Sequence, residues 1–189
     1  MIEKISNKFI QLLKREDVIS ENDTDVYAYG LFQLLMMCLN IGTTILVGIL
    51  FKAFIPCLVL NIFYIPLRVN AGGFHAKTPF RCYLYSTAII ASLLLVIRYV
   101  PISFVASIVL FIISSAIVWM FAPVSTVDDP FDEIEKTVYK KRTRIVLISE
   151  AVFYVLSLIF LKCWLSKTIA LAVGTEAVML LFGKRTLKK

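Results

Sequence analysis

The stretch 68–82 holds the residue types of this chain that could do chemistry. It contains the single histidine, His75, and one of the four cysteines, Cys82, seven residues further on. In a continuous helix this spacing would leave the two side chains about 10 Å apart along the axis, too far for a hydrogen-bonded nucleophile–base pair. Gly72 and Gly73 favour a turn instead, from which His75 could fold back over Cys82.

The residues around Cys82 favour a reactive thiolate. Thr78 followed by Pro79 predicts the N-cap and the first position of a helix, with Cys82 in its first turn. The partial positive charge of a helix N-terminus, with Lys77 and Arg81 nearby, favours the thiolate, which is the nucleophilic form. First-turn N–H groups could also stabilise an oxyanion. The alternative is a loop whose basic residues only set topology and whose cysteine is inert, and spacing alone leaves both interpretations open.

The composition indicates a polytopic membrane protein. Of the 189 residues, 59% are apolar and 17% are charged, and the mean hydropathy is +0.84. These values exclude an ordinary soluble enzyme, a disordered chain and a disulfide-rich module. With one histidine and no CxxC pair, we expect no metal site and no cofactor. The net charge of +7 is interpreted as membrane topology rather than as binding of nucleic acid.

Six apolar stretches predict an all-α integral membrane fold with about six transmembrane helices. The second stretch is short and contains two prolines, so it could be a tilted span or a half-embedded hairpin. In residues 1–20, apolar residues recur every three or four positions, which predicts an amphipathic helix on the inner membrane surface or against cytosolic loops. The six stretches are 31–51, 53–67, 83–97, 102–121, 145–161 and 164–182.

The distribution of positive charge predicts the topology. If the N-terminus is cytoplasmic, 16 of the 20 Lys and Arg residues lie on the cytoplasmic side, as the positive-inside rule requires. Both termini and the candidate active site are then cytoplasmic. The predicted organisation is a cytoplasmic N-terminal segment 1–28, a membrane domain 29–183 with a catalytic loop 68–82 and a basic loop 122–144, and a cytoplasmic basic tail 184–189.

Two acids, Glu150 and Glu176, lie within predicted spans, where ionisable residues are functional candidates. Either could orient His75 or pair with Arg68 or Arg81; the alternative is a structural ion pair or snorkelling to the interface. The loop 122–144 carries a basic run, which fits either docking of an acidic peptide tail or the positive-inside signal with contact to anionic lipid. The run consists of Lys136, Lys140, Lys141, Arg142 and Arg144.

The pattern Arg68-x-x-Ala-Gly-Gly-x-His75 followed by Cys82 resembles the signature of the accessory gene regulator B family. Members are bacterial membrane cysteine endopeptidases that mature the precursors of quorum-sensing peptides. The resemblance assigns the catalytic histidine to His75 and the nucleophile to Cys82. It assigns the accompanying arginine and glycine to Arg68 and Gly73, and we expect Gly72 and Arg81 to support the same loop.

The resemblance implies an acyl-thioester on Cys82, release of a C-terminal tail, and closure of a thiolactone or lactone by a Cys or Ser within the signal. The implied partners are a precursor with an amphipathic leader and an acidic tail, the lipid bilayer of the bacterial cell and a second copy of the chain, with no nucleic acid. One alternative is a small transporter or exporter that uses Glu150 and Glu176 as its polar pathway. Another is a membrane sensor or scaffold whose loop 122–144 binds a partner.

Overall fold

The computed structural model describes residues 10–12, 14, 24–74, 78–125, 131–160 and 162–187. Residues 10–12 and 14 are helical, and the rest of the predicted N-terminal amphipathic helix lies outside the described residues, as do His75 and Lys77. Six long helices follow one another through the remainder of the described chain. They are α1 (Thr24–Leu50), α2 (Phe54–Ala71), α3 (Pro79–Tyr99), α4 (Phe104–Phe121), α5 (Glu133–Ile159) and α6 (Cys163–Leu187).

The all-α membrane fold predicted from the sequence is confirmed. Among the described residues, α1, α2, α3, α4 and α6 are each long and apolar enough to cross a membrane. The helix α5 does not reach that standard because its first half is charged. Its apolar part, residues 145–159, rises about 22 Å, which is short for a hydrocarbon core of about 30 Å. A sixth crossing therefore stays a prediction.

Three helices add detail to the sequence-based expectation. The second apolar stretch is one continuous helix, α2, rather than a hairpin, and Pro66 lies within it. The helix α1 begins at Thr24, inside the segment 1–28 that was assigned to the cytoplasm. The predicted basic loop 122–144 is helical from Glu133, where the N–H of Asp132 donates to Glu135 Oε2 at 3.1 Å. This hydrogen bond caps the N-terminus of the helix. The helix therefore begins within the charged segment that the sequence analysis assigned to the basic loop.

The helix α6 lies at the centre of the bundle and packs on α2, α3, α4 and α5. Its buried face is rich in small residues, among them Ala170, Ala172 and Ala177, which let neighbouring helices approach closely. A smaller cluster of buried residues around Cys57 and Leu94 joins α2 to α3, and α1 packs against both of these helices. The bundle thereby brings the end of α2 and the start of α3 beside the C-terminal half of α6.

Candidate active site

Cys82 lies in the first turn of α3, as the Thr-Pro signal predicts. The helix begins at Pro79, and the hydroxyl of Thr78 accepts a hydrogen bond from the N–H of Arg81 at 3.3 Å. The N–H of Cys82 donates to the carbonyl oxygen of Thr78 at 3.0 Å. Cys82 is a free cysteine and is half-buried, in a capped and regular helix start.

Phe80 carries the one N–H group of this first turn that is not hydrogen-bonded among the described residues. Pro79 has no N–H, and the N–H groups of Arg81 and Cys82 are bonded to Thr78. The predicted oxyanion interaction with several first-turn donors is therefore reduced to a single donor from this helix.

Gly72 and Gly73 form a turn that other residues could not adopt without strain. Their φ angles are +74° and +112°, a region that L side chains rarely occupy. A Cβ on Gly72 would lie 2.1 Å from the carbonyl oxygen of Val124, and one on Gly73 would lie 2.6 Å from Arg68 Nη1. Both glycines are thus required by conformation and by space.

Backbone hydrogen bonds fix this turn on both sides. The N–H of Gly73 donates to the carbonyl oxygen of Val124 at 3.0 Å, and the N–H of Val124 donates to that of Ala71 at 2.9 Å. The N–H of Phe74 donates to the carbonyl oxygen of Met179 in α6 at 3.0 Å. The chain is therefore held in place up to the residue before His75.

The guanidinium of Arg68 donates hydrogen bonds to the backbone of the turn. Its Nη1 donates to the carbonyl oxygen of Gly72, and its Nη2 donates to that of Phe74. The planar guanidinium of an arginine donates to two acceptors from two different nitrogens in a fixed geometry, whereas a lysine has a single nitrogen on a flexible chain. Arg68 thus joins the last turn of α2 to the segment that leads into His75.

One buried acid lies next to this arginine, and a second acid is buried in α5. Glu176 is fully buried, and its Oε1 lies 3.8 Å from Arg68 Nη1, close enough for an ion pair but too far for a hydrogen bond. Glu150 in α5 is also buried, with 2% of its surface exposed. None of their four carboxylate oxygens accepts a hydrogen bond from the described residues. Of the pairings that the sequence left open, the structure places Glu176 with Arg68, whereas Arg81 is exposed.

Two further residues of the site were not expected from the sequence. Tyr64 precedes Arg68 by one helical turn, on the same face of α2, and is half-buried. Gly183 faces the turn, and a Cβ on it would lie 2.6 Å from the carbonyl carbon of Gly73. The i, i+4 spacing of Tyr64 and Arg68 could have indicated Tyr64, because it places both side chains on the same face of a helix. Nothing in the sequence indicated Gly183, which is a single glycine within an apolar helix.

The basic residues of α5 fall into two groups that differ in exposure and in contacts. Lys136, Lys140, Lys141 and Arg142 are exposed, and Lys136 lies 3.6 Å from Glu133. The guanidinium carbon of Arg144 lies 4.5 Å from the ring centroid of Trp119. The first four are available to a partner or to lipid headgroups, and Arg144 is held by a cation–π contact.

An apolar cavity of about 650 Å³ lies between α3, α4 and α6, beside the turn and the start of α3. Its lining comes from both of these segments as well as from the bundle. The lining residues are Phe74, Tyr85, Ile89, Leu110, Leu171, Gly174, Thr175, Val178, Met179 and Phe182.

Fold and site together define an all-α multi-span membrane protein in which a buried arginine–carboxylate pair holds a glycine turn beside a helix-capped cysteine. The family model described as Accessory gene regulator B matches residues 6–180. This chain belongs to the accessory gene regulator B family, so the resemblance of its sequence motif is confirmed.

Curated relatives agree with this assignment. Accessory gene regulator protein B of Staphylococcus aureus (strain Newman) is 30% identical over 155 residues, which cover 79% of this chain and 80% of the relative. Protein FsrB of Enterococcus faecalis (strain ATCC 47077 / OG1RF) is 30% identical over 158 residues, 82% of this chain and 61% of the relative. No solved structure gives a significant match. The roles of Cys82 and His75 stay predictions.

Proposed function

We propose that this chain is a membrane cysteine endopeptidase that cleaves the C-terminal tail from a signal-peptide precursor and then cyclises the signal. The observation that carries the proposal is the position of Cys82. It lies in the capped first turn of α3, eight residues after Phe74, the last residue of the segment that Arg68 and the glycine turn hold in place. Membership of the accessory gene regulator B family supports the same reading.

The proposed reaction has two acyl transfers. His75 takes the proton of Cys82, and the thiolate attacks the carbonyl between the signal and its tail. The C–N bond breaks, the tail leaves with a proton returned by His75, and the signal stays as a thioester on Cys82. A Cys or Ser within the signal then attacks this thioester, forms the ring and releases the thiol of Cys82. Exclusion of water protects the thioester from hydrolysis.

We assign the Arg68 cluster a positioning role in this reaction. The guanidinium fixes the carbonyl oxygens of Gly72 and Phe74, and it thereby limits the positions open to His75. Glu176 is paired with Arg68, and Glu150 accepts no hydrogen bond among the described residues. A cation that approaches such a buried acid favours its ionised form and is stabilised by it in turn. In this proposal the imidazolium formed on His75 is stabilised by Glu150 and Glu176.

Exposed cations on α5 suit the acidic tail that we propose for the precursor. Lys136, Lys140, Lys141 and Arg142 follow one another within less than two turns of helix. In the proposal they bind the tail by long-range attraction, which weakens as salt is added. Contact of the same residues with anionic lipid is compatible with this role.

A small exporter without thiol chemistry is the second candidate, and the buried acids favour it. Glu150 and Glu176 lie within the bundle without hydrogen-bond donors among the described residues. Intramembrane acids of this kind are typical of ion and substrate pathways. An exporter would need these acids but not the sulfur of Cys82.

Tail release from a co-expressed precursor separates the two candidates. The precursor would be the product of a short reading frame beside this gene that encodes an amphipathic leader and an acidic tail. We expect the wild type to release the tail, and Cys82→Ser, Cys82→Ala and His75→Ala to abolish release at equal membrane levels. Cys163→Ala, which removes an exposed free thiol, is the matched control and should behave as wild type. Full release by Cys82→Ser would contradict the endopeptidase and favour the exporter.

A further inference from the structure

We propose that the apolar cavity between α3, α4 and α6 holds one acyl chain of an anionic phospholipid, and that the last turn of α6 binds the headgroup of the same lipid. This is a lipid site within the bundle, separate from the exposed cations of α5. It is independent of the proposed function, because it requires no chemistry at Cys82. The place where the cavity opens, its length and the charge at its end all point to this occupant.

The cavity opens at the outer surface of the bundle. Each of the three helices that bound it is long and apolar enough to cross a membrane. Three of its lining residues are exposed over half of their surface or close to it, with values of 52% for Tyr85, 50% for Val178 and 52% for Phe182. The exposed surface of a membrane-spanning helix faces acyl chains within the hydrocarbon core. A lipid can therefore enter this cavity from the side without leaving the bilayer.

The length of the cavity matches one leaflet of a bilayer. On α6 its lining extends from Leu171 to Phe182, positions that lie about 16 Å apart along the helix axis. A hydrocarbon core is about 30 Å thick, so that one leaflet supplies roughly half of this distance. A cavity of about 650 Å³ with this length suits an extended acyl chain better than a compact ligand.

The lining is suited to a hydrocarbon chain but cannot by itself select one lipid. Tyr85 and Thr175 are the lining residues with a hydroxyl, and the hydroxyl of Thr175 donates to the carbonyl oxygen of Leu171 in its own helix at 2.7 Å. The other lining residues are aliphatic or aromatic, or are Gly174 and Met179. Because the surrounding lipid is as apolar as this lining, selectivity must come from the headgroup.

Arg185 is positioned to bind an anionic headgroup. It follows Phe182 by three residues and Val178 by seven, so it continues the face of α6 that lines the cavity. It is exposed. Residues 184–189 contain four Lys or Arg residues and no Asp or Glu, and the first turn of α3 likewise contains no acid. Positive charge directly beside a membrane-spanning helix attracts anionic phospholipid, so the charge at this end of the cavity is complementary to the proposed occupant.

Photolabelling of the full-length protein in detergent micelles tests the site. The probe is a phosphatidylglycerol that carries a diazirine near the middle of one acyl chain. Irradiation releases N₂, and the carbene that remains inserts into a neighbouring C–H bond, which peptide mass spectrometry locates. We expect saturable labelling of Ile89 and Val178. Unlabelled phosphatidylglycerol should displace the probe about fivefold more effectively than phosphatidylcholine, the effect of one cation near the membrane surface.

Two variants fill the cavity from opposite walls. Val178→Trp should reduce saturable labelling of Ile89 about fivefold or more, because the added ring occupies the space of the chain. Ile89→Trp should reduce labelling of Val178 in the same way, and it keeps the test decisive if the first variant fails to fold. Val152→Trp in α5 is the matched control, since Val152 is exposed to a similar degree as Val178 and does not line the cavity.

A second pair of variants tests the headgroup. Arg185→Gln should remove the preference for phosphatidylglycerol over phosphatidylcholine, a change of about fivefold. Lys184→Gln is the matched control, because Lys184 is the neighbouring cation but its Nζ lies 3.9 Å from the ring centroid of Phe121 in α4. It should keep the preference of the wild type.

Several results would overturn the lipid site. Labelling that does not saturate, and that spreads evenly over the exposed apolar residues of the other helices, would show that the cavity holds no particular lipid. Labelling of the lining that Val178→Trp and Ile89→Trp leave unchanged would have the same meaning. Equal displacement of the probe by phosphatidylglycerol and phosphatidylcholine, or equal effects of Arg185→Gln and Lys184→Gln, would overturn the assignment of the headgroup to the last turn of α6.

Discussion

Arg68 in α2 and Glu176 in α6 form a buried charge pair, with Nη1 and Oε1 3.8 Å apart, and the same guanidinium holds the carbonyl oxygens of Gly72 and Phe74. The pair links the turn that precedes His75 to the central helix of the bundle. The conformation of the candidate active site therefore depends on packing between α2 and α6 as well as on the local sequence of the loop.

Arg68→Lys should abolish most of the activity while the protein still inserts into the membrane. Lysine keeps the positive charge near Glu176 but loses the planar fork that reaches two carbonyl oxygens. We expect tail release to fall at least tenfold at equal protein level, measured by immunoblot of the precursor. Arg81→Lys is the matched control, because Arg81 is exposed and lies in the same part of the chain. It should stay within twofold of wild type, and an equal loss in both variants would count against the proposed role of Arg68.

The two buried acids should respond differently to neutralisation. Glu176→Gln leaves the guanidinium of Arg68 without its carboxylate, and loss of one partner from a buried pair costs about 3–5 kcal/mol. Glu150→Gln removes a carboxylate with no hydrogen bond among the described residues, so it should leave stability unchanged or raise it. Thermal unfolding of the detergent-purified proteins checks this order. A larger loss in Glu150→Gln than in Glu176→Gln would contradict the assignment of Arg68 to Glu176.

Gly183→Ala should disturb the turn through α6. The added Cβ would lie 2.7 Å from the backbone nitrogen of Phe74, which must then shift away from Met179. We expect loss of tail release of tenfold or more with the helical content unchanged by circular dichroism. In Gly42→Ala the new Cβ meets nothing within 4 Å, and this control should keep full activity and gain up to about 1 kcal/mol as a helical glycine is replaced. Full activity of Gly183→Ala would show that the close approach is not needed.

Thr78→Ala should separate helix capping from catalysis. Loss of the hydroxyl that accepts from the N–H of Arg81 costs about 1 kcal/mol of stability, and it loosens the turn that contains Cys82. Ser103→Ala removes the corresponding cap of α4, where the Ser103 hydroxyl accepts from the N–H of Ala106 at 3.2 Å. We expect similar losses of thermal stability in the two variants but a fall in tail release only in Thr78→Ala. Equal activities would mean that the cap serves stability alone.

The features of this structure that depend on residues close together in sequence could be predicted from the sequence. The start of α3 at Pro79 follows from Thr-Pro chemistry, and the spans follow from uninterrupted apolar runs. The fold class could therefore be predicted with no knowledge of how the helices pack. The helix that begins at Glu133 within the predicted basic loop 122–144 could not be predicted from hydropathy, because a low hydropathy marks a segment as polar and does not distinguish a helix from an irregular loop.

The contacts that hold the site depend on residues far apart in sequence. The sequence allowed Glu176 to pair with Arg68 or with Arg81, and only the packing of α2 on α6 selects between them. The requirement for Gly183 arises from the approach of a second backbone, which leaves no mark in the sequence around it. The backbone hydrogen bonds of Val124 with Gly73 and Ala71 likewise join two segments far apart in sequence, and no local pattern indicates that they meet.

The central claim, that Cys82 forms a covalent intermediate with the precursor, is tested most directly by intact mass spectrometry of the co-expressed protein. We predict an adduct of the mass of the precursor without its tail in the wild type, released by hydroxylamine as a thioester should be. The adduct should persist in Cys163→Ala and be absent in Cys82→Ala and His75→Ala. Cleavage of the precursor without any hydroxylamine-sensitive adduct, or an adduct that survives in Cys82→Ala, would contradict the account.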